Sequence, residues 1–394
     1  MFKKVLLFLH RWLGLSSGLI VFIISITGAI FVFEEELFRV FHPELVYVTP
    51  AKVLKDINTL KEAAQNSLGT DKTIDNVYIY GDSDRAYCFL ASERNPKSTS
   101  LWDKDEIEYY DQVYVNPYNG QVLGVIDKET EFFYVVRRVH QNLLLRRDIG
   151  NMIVGSSVLI FLVILITGLI LWWPKRIAIW KQRFTIKLKA RWRRVNYDLH
   201  SVLGFYIFLI ALIIAATGLV WSFQWWENGI FSMMGSAKKD SSFLTQRDTI
   251  HIVSENGLSI AWKDALSRYD QFKRMSFTFP GKKNSRATFF VQYHGPSAWM
   301  DTDYLYYNSE NGELQQEILH NDKSLALKWR NSNYNIHTGN IYGWPTQVLA
   351  LLASLVCAGL PVTGVIMWLG RKKKATRANF YPVVKERLES VIVE

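Results

Sequence analysis

The apolar residues of the chain gather into four stretches almost free of charge, at residues 13–33, 151–173, 201–226 and 346–369. A helix rises 1.5 Å per residue, so about twenty residues cross the roughly 30 Å of a bilayer's hydrocarbon. The pattern predicts four transmembrane helices. Between the first and second spans the period changes. Val53, Ile57, Leu60, Ala64 and Leu68 recur at helical spacing, and strand-like runs follow at 77–80, 86–91, 109–115 and 121–126. Between the third and fourth spans the same order returns: a helical run at 258–269, then strand candidates at 273–279, 287–293, 303–307 and 313–319. Asn119-Gly120 and Asn311-Gly312 fall between strands and mark hairpins. Each segment reads as a helix followed by a small antiparallel sheet.

The spans repeat in detail. His10-x3-Gly14-x12-Thr27-Gly28 in the first has its counterpart in His200-x3-Gly204-x12-Thr217-Gly218 in the third. Thr167-Gly168 and Trp172 in the second span match Thr363-Gly364 and Trp368 in the fourth, and His140 and His337 precede these at nearly equal distance. The expected fold is therefore an α-helical membrane protein. It has a four-helix transmembrane bundle and two small α+β domains on one side, built by internal duplication with parallel repeats. The segments are 1–33 (first span), 34–138 (first outer domain), 139–173 (second span with its approach) and 174–198 (basic loop). They continue with 199–227 (third span), 228–335 (second outer domain), 336–370 (fourth span with its approach) and 371–394 (tail).

Charge orients this plan. The 394-residue chain has a formal net charge of +10, and the excess is local. The loop at 174–198 holds nine Lys or Arg and one acid, and the tail holds seven against three. With Lys3, Lys4 and Arg11 they lie on one side, which the positive-inside rule makes cytoplasmic. The expectation is a membrane protein with both termini cytoplasmic and two domains on the outer side, its basicity a topology signal and not a sign of nucleic-acid binding. The first span reads as retained, because it ends in Phe33-Glu34-Glu35-Glu36 without a small-x-small cleavage site. Trp172, Trp173, Trp221, Trp225 and Trp226 read as an interfacial aromatic belt.

Four of the eight histidines mark the spans. His10 and His200 fall toward the cytoplasmic face, and His140 and His337 toward the other. His42, His251, His294 and His320 follow no such pattern. Imidazole is a common axial ligand of haem iron, and facing helices of a bundle commonly hold cofactors. The arrangement predicts two b-type haems, one between His10 and His200 and one between His140 and His337. Arg11, Arg146 and Arg147 are candidate partners of haem propionates, with snorkelling to the lipid headgroups as the equal alternative. The Thr-Gly pairs read as sites of close helix approach. In a straight helix His140 stands about ten residues, or roughly 15 Å, above the apolar core of its span, which puts that haem at the interface. Trp262, Trp299 and Trp329 read as core residues, with contacts in an outer cleft as the lesser alternative.

Leu9-His10-Arg11-Trp12-Leu13-Gly14-Leu15, the segment from Thr167 to Pro174, Asp198-Leu199-His200 and His337-Thr338-Gly339 together resemble the PepSY-associated transmembrane family of iron-regulated bacterial membrane proteins. The Asn-x3-Gly segments at Asn116 and Asn308 are similar to the PepSY sheet signature, with Asn at its usual acid. The resemblance spans nearly the whole chain. It implies a ferric-siderophore reductase of the inner membrane, with haems on His10, His140, His200 and His337, that reduces Fe(III) in a periplasmic chelate. Some relatives carry a flavin-reductase domain. The sequence has no Gly-rich dinucleotide fingerprint, so a separate electron donor, a reductase or membrane quinol, is expected.

Two other functions fit the same plan. One is a non-redox protein whose outer domains bind a peptide or protein partner. The other is a siderophore or iron permease, which the lack of an acidic residue near mid-membrane disfavours.

Overall fold

The computed structural model describes residues 1–174, 176, 180–236, 253–281, 286–293 and 301–392, with side chains through residue 370. The readings placed on His251, His294, Trp299 and the side chains of the basic tail lie outside the described residues. Among the described residues, four helices long and apolar enough to cross a membrane run Phe2–Phe31, Arg147–Trp172, Trp192–Ser222 and Trp344–Gly370. The first packs against the second and fourth, and the third packs against the same two. The bundle is therefore a ring, with the first span facing the third and the second facing the fourth. Close approach depends on small residues. A Cβ at Gly18 would stand 3.3 Å from Pro361 of the fourth span. The third span is not uniform, because a π turn over Leu199–Leu203 interrupts it at His200, a distortion frequent at functional sites.

Outside the bundle, the helices that bear on the sheet and the histidines are α1 (Glu34–Phe41), α2 (Ile57–Leu68), α3 (Phe132–Asn142), α4 (Glu255–Ser267) and α5 (Leu325–Thr338). The strands are β1 (Ile74–Tyr80), β2 (Tyr87–Arg94), β3 (Ile107–Val115), β4 (Val122–Asp127), β5 (Arg274–Thr278), β6 (Arg286–Tyr293), β7 (Asp301–Asn308) and β8 (Leu314–Ile318). The two expected units are not separate. They share one eight-stranded sheet in the order β4-β3-β2-β1-β5-β6-β7-β8. β1 and β5 pair antiparallel from Asn76↔Thr278 to Tyr80↔Arg274. Each unit would otherwise leave one of these strands as an open edge with unpaired backbone groups. Gly120 and Gly312, at φ 79° and 77°, close the β3–β4 and β7–β8 hairpins where the Asn-Gly pairs were read.

The sheet has two unlike faces, because side chains alternate along each strand. Val77, Phe89, Val113, Phe277, Phe289 and Leu305 point to one face and form a core with Ile57 and Leu60 of α2 and Trp262 of α4. α2 begins at Ile57, four residues after the expected start, because Asp56 accepts a hydrogen bond from the Asn58 N–H and caps the helix. Ser254 caps α4 in the same way. The other face meets the helices that lead to the spans. Phe38 of α1 stacks 6.0 Å from Tyr114, Tyr134 of α3 lies 5.2 Å from Tyr110, and the Tyr304 hydroxyl donates to Asn331 of α5 at 2.8 Å. A buried knot ties α5 down. Lys323 donates to the Thr302 carbonyl at 2.6 Å, and the His320 backbone N–H donates to Asp303 at 2.6 Å.

The approaches to the second and fourth spans are not straight continuations. α3 ends at Asn142, and Leu143 and Leu144 adopt φ 56° and 60°. The reversal is pinned where Arg146 N–H donates to the Leu101 carbonyl at 2.7 Å and buried Arg138 pairs with buried Asp103. α5 ends at Gly339, φ 78°, and Gly343, φ 68°, precedes the fourth span. The straight-helix height for His140 is thereby corrected. The chain folds back, and the ring packs on Gly28, inside the first span.

Phe277 is fully buried and stacks 4.3 Å from Phe289 beside the sheet junction. Phe277→Ala is expected to destabilise the sheet by about 3–5 kcal/mol. Hydrogen exchange of the sheet amides will rise sharply, while exchange in the spans stays at the wild-type rate.

Candidate functional site

The four span histidines meet in two pairs across the ring. His10 and His200 have ring centroids 6.1 Å apart, and so do His140 and His337. The first pair lies toward the basic loop and the second toward the sheet. Along the first span His10 and Gly28, which contacts His140, are separated by eighteen residues, about 27 Å of helix.

Each imidazole is aimed by a neighbouring span. His10 Nδ1 lies 3.1 Å from the Ile164 carbonyl and 3.1 Å from Thr167 Oγ1. His140 Nδ1 lies 2.7 Å from the Ile24 carbonyl and 3.4 Å from Thr27 Oγ1. His337 Nδ1 lies 2.9 Å from the Ile214 carbonyl and 3.1 Å from Thr217 Oγ1, and His200 Nδ1 lies 2.9 Å from Thr363 Oγ1. Every one of these threonine hydroxyls donates its proton to a carbonyl of its own helix, at 2.7–2.9 Å. Its oxygen is left to accept. A carbonyl also only accepts, so Nδ1 carries the hydrogen and Nε2 is the free lone pair. The adjacent glycines make room. A Cβ at Gly28, Gly168 or Gly218 would stand 3.0 Å from the Cε1 of His140, His10 or His337, and one at Gly364 would stand 3.7 Å from that of His200. The Thr-Gly pairs are thus seats for the histidines, a role that spacing alone did not reveal.

Each pair opens on a largely apolar chamber. The chamber on the loop side has a volume of about 400 Å³ and is walled by Gly14, Phe205, Leu360 and Trp368 among others. The sheet-side chamber is smaller, about 150 Å³, and includes Gln141, Asn151 and Cys357 in its wall. Val21 and Phe161 border both. Arg11 lines the loop-side chamber, and its Nε has no hydrogen-bond partner. Arg146 is held by Asp148 at 2.8 and 2.9 Å, and neither it nor Arg147 borders the sheet-side chamber. Two tryptophans read as belt residues border chambers instead. Trp172 is buried and stacks 3.8 Å from Phe205, and Trp221 lies 5.3 Å from His337. Trp262 and Trp329 are core residues.

Among the described residues no group of three or more His, Cys, Asp or Glu comes together. The metal-binding chemistry on offer is pairwise. With metal–nitrogen bonds of about 2 Å and roughly 1 Å more to each ring centre, two imidazoles on one metal hold centroids about 6 Å apart. The observed 6.1 Å fits.

The PepSY-associated TM region model matches residues 7–371. The chain belongs to this family. The match takes in all four spans, the sheet between them and both histidine pairs of this PepSY-associated membrane protein. No curated protein matches the chain.

The tautomer is directly measurable. Nitrogen-15 NMR of metal-free protein, with each histidine assigned by substitution, is expected to show His10, His140, His200 and His337 neutral with the hydrogen on Nδ1. A proton on Nε2 would mean that the rings do not present a lone pair to the chambers.

Proposed function

We propose that this protein is a di-haem electron carrier of the bacterial inner membrane that reduces a ferric chelate on the sheet side of the bilayer. The observation that carries this reading is the pairing of imidazoles at single-metal distance with Nε2 free. Two protein ligands leave most of a metal's coordination positions open, and a porphyrin fills four. His10 and His200 would hold one b-type haem, and His140 and His337 the other. The Ile164, Ile24 and Ile214 carbonyls and the four threonines fix the ring planes and strengthen the imidazoles as ligands. Haem bound between two imidazoles supplies a one-electron Fe(III)/Fe(II) couple with no open axial position. Arg11 is placed to neutralise a propionate in the loop-side chamber. On the sheet side neither Arg146 nor Arg147 borders the chamber, and polar groups at its wall include Gln141 and Asn151.

The walls of both chambers are mostly apolar, and Val21 and Phe161 stand between them. The basic residues of the loop and tail support an orientation with the His10–His200 pair toward the cytoplasm and the sheet in the periplasm. Electrons come from a separate donor, a reductase or quinol, and one electron per iron converts a ferric siderophore to its weakly held ferrous form. The matched motifs in the two halves of the bundle and sheet support an origin by internal duplication. A role confined to partner binding or to siderophore permeation gives no reason for aimed imidazole pairs in apolar chambers.

Protein purified from haem-replete cells is expected to show a reducible b-type visible spectrum. His10→Ala and His337→Ala are each expected to remove about half of it. A colourless, monodisperse wild-type protein would overturn the redox reading.

A further inference from the structure

The face of the sheet opposite its core is strongly cationic and aromatic where it meets α1, α3 and α5. Arg85 lies 4.0 Å from the Tyr80 ring, Arg274 5.2 Å from the Tyr78 ring, and Arg137 4.8 Å from the Tyr134 ring. Arg85 is 6% exposed, and the Nε atoms of Arg85 and Arg137 are buried without a hydrogen-bond partner. Ring stacking leaves the edge of a guanidinium, with its fork of N–H donors, free for an oxygen-rich ligand. Other salt bridges of the sheet side pair their cations with carboxylates, as Lys72 with Asp111 and Arg330 with Glu227. These three arginines stand apart from that pattern.

The three belong to one neighbourhood. Arg274 and Arg85 both act electrostatically on Tyr80, and Arg274 and Arg137 both act on Tyr334. Tyr334, 49% exposed, opens the neighbourhood to solvent. Arg137 lies three residues before His140 on α3, and Tyr334 three residues before His337 on α5. The site therefore sits one helical turn from the sheet-side histidine pair. Two acids border it. Glu35 is exposed to solvent. Burial raises the Glu34 carboxyl above the usual range, against the pull of Lys128 and Arg137, which weakens it as a competitor for the arginines.

We infer that Arg85, Arg137 and Arg274, with Tyr80 and Tyr334, form the substrate site, and that it selects ferric chelates of net negative charge whose oxygens the guanidinium edges bind. This rests on the reductase reading above and specifies its substrate. A neutral or cationic chelate would leave the guanidiniums desolvated without a counter-charge, a cost that discriminates strongly.

The test measures binding apart from reduction. Protein in nanodiscs is dialysed against radiolabelled iron as ferric citrate, which is anionic, and as ferric tris-acetohydroxamate, which is neutral. The citrate complex is expected to bind at least about tenfold more tightly. Arg137→Gln and Arg274→Gln should each weaken it about tenfold, with the visible spectrum unchanged. Arg274→Lys should recover part of the loss. His140→Ala should keep citrate binding while losing its haem. Equal binding of the two chelates, no binding of either, or Gln variants that bind like wild type would each overturn the site. If Arg137→Gln loses haem absorbance as His140→Ala does, the guanidinium serves haem propionates and the substrate assignment fails. Ferric citrate held selectively by a colourless wild-type protein would instead overturn the redox reading and leave the anion site standing.

Discussion

An imidazole can be aimed only if one of its nitrogens is already engaged. Free to rotate in an apolar bundle, it would turn both nitrogens toward any acceptor it could reach. Here the engaged nitrogen is Nδ1, and its partners are a helix carbonyl, a threonine oxygen whose proton is spent within its own helix, or both. A glycine beside the threonine admits the ring edge. The remaining nitrogen is left free for a ligand, with the paired ring centroids 6.1 Å apart. The first span presents His10 to Thr167 of the second and seats His140 of α3 at Thr27, and the third presents His200 to Thr363 of the fourth and seats His337 of α5 at Thr217. Shifting the first or the third span by a residue would break two seats at once. Span packing and ligand geometry are one constraint.

The sheet serves this constraint from outside the membrane. Two four-stranded halves joined at β1 and β5 make one rigid plate. Its polar face meets α3 and α5, the helices that carry His140 and His337. The Arg138–Asp103 pair and the Lys323–Thr302 contact hold those helices' surroundings in place. In consequence the left-handed turn at Leu143–Leu144 and the breaks at Gly339 and Gly343 can set two histidines against the spans without a long, unsupported helix above the bilayer. Where the sheet, α3 and α5 converge, three arginines stack on tyrosines beside the sheet-side pair.

Much of this was legible in order along the chain. Spans declare themselves by length, strands by alternation, and the histidines by a repeat that places them at matching positions. What was hidden depends on contacts between segments far apart. Thr27-Gly28 and Thr217-Gly218 look like ordinary packing signals, because the ring they receive comes from a residue more than a hundred positions away. The turn after α3 uses two leucines at positive φ, and leucine gives no turn signal; the break before the fourth span, by contrast, falls at Gly339 and Gly343, residues that favour turns. Arg146 and Arg147 attracted notice by lying close to His140 in sequence, yet the reversal of the chain carries them away from the chamber. Nothing in the sequence sets Arg137, three residues before His140, apart from the other cations. Joining of the two sheets was invisible because both β1 and β5 read as strands whichever partner they have.

The central claim is that each imidazole pair clasps one porphyrin iron. Electron paramagnetic resonance of the oxidised protein, calibrated against protein concentration, tests it most directly. Two low-spin ferric centres per chain, each with the signature of two axial imidazoles, are the result this account requires. High-spin iron, a single centre, or no iron signal from a folded chain would contradict it.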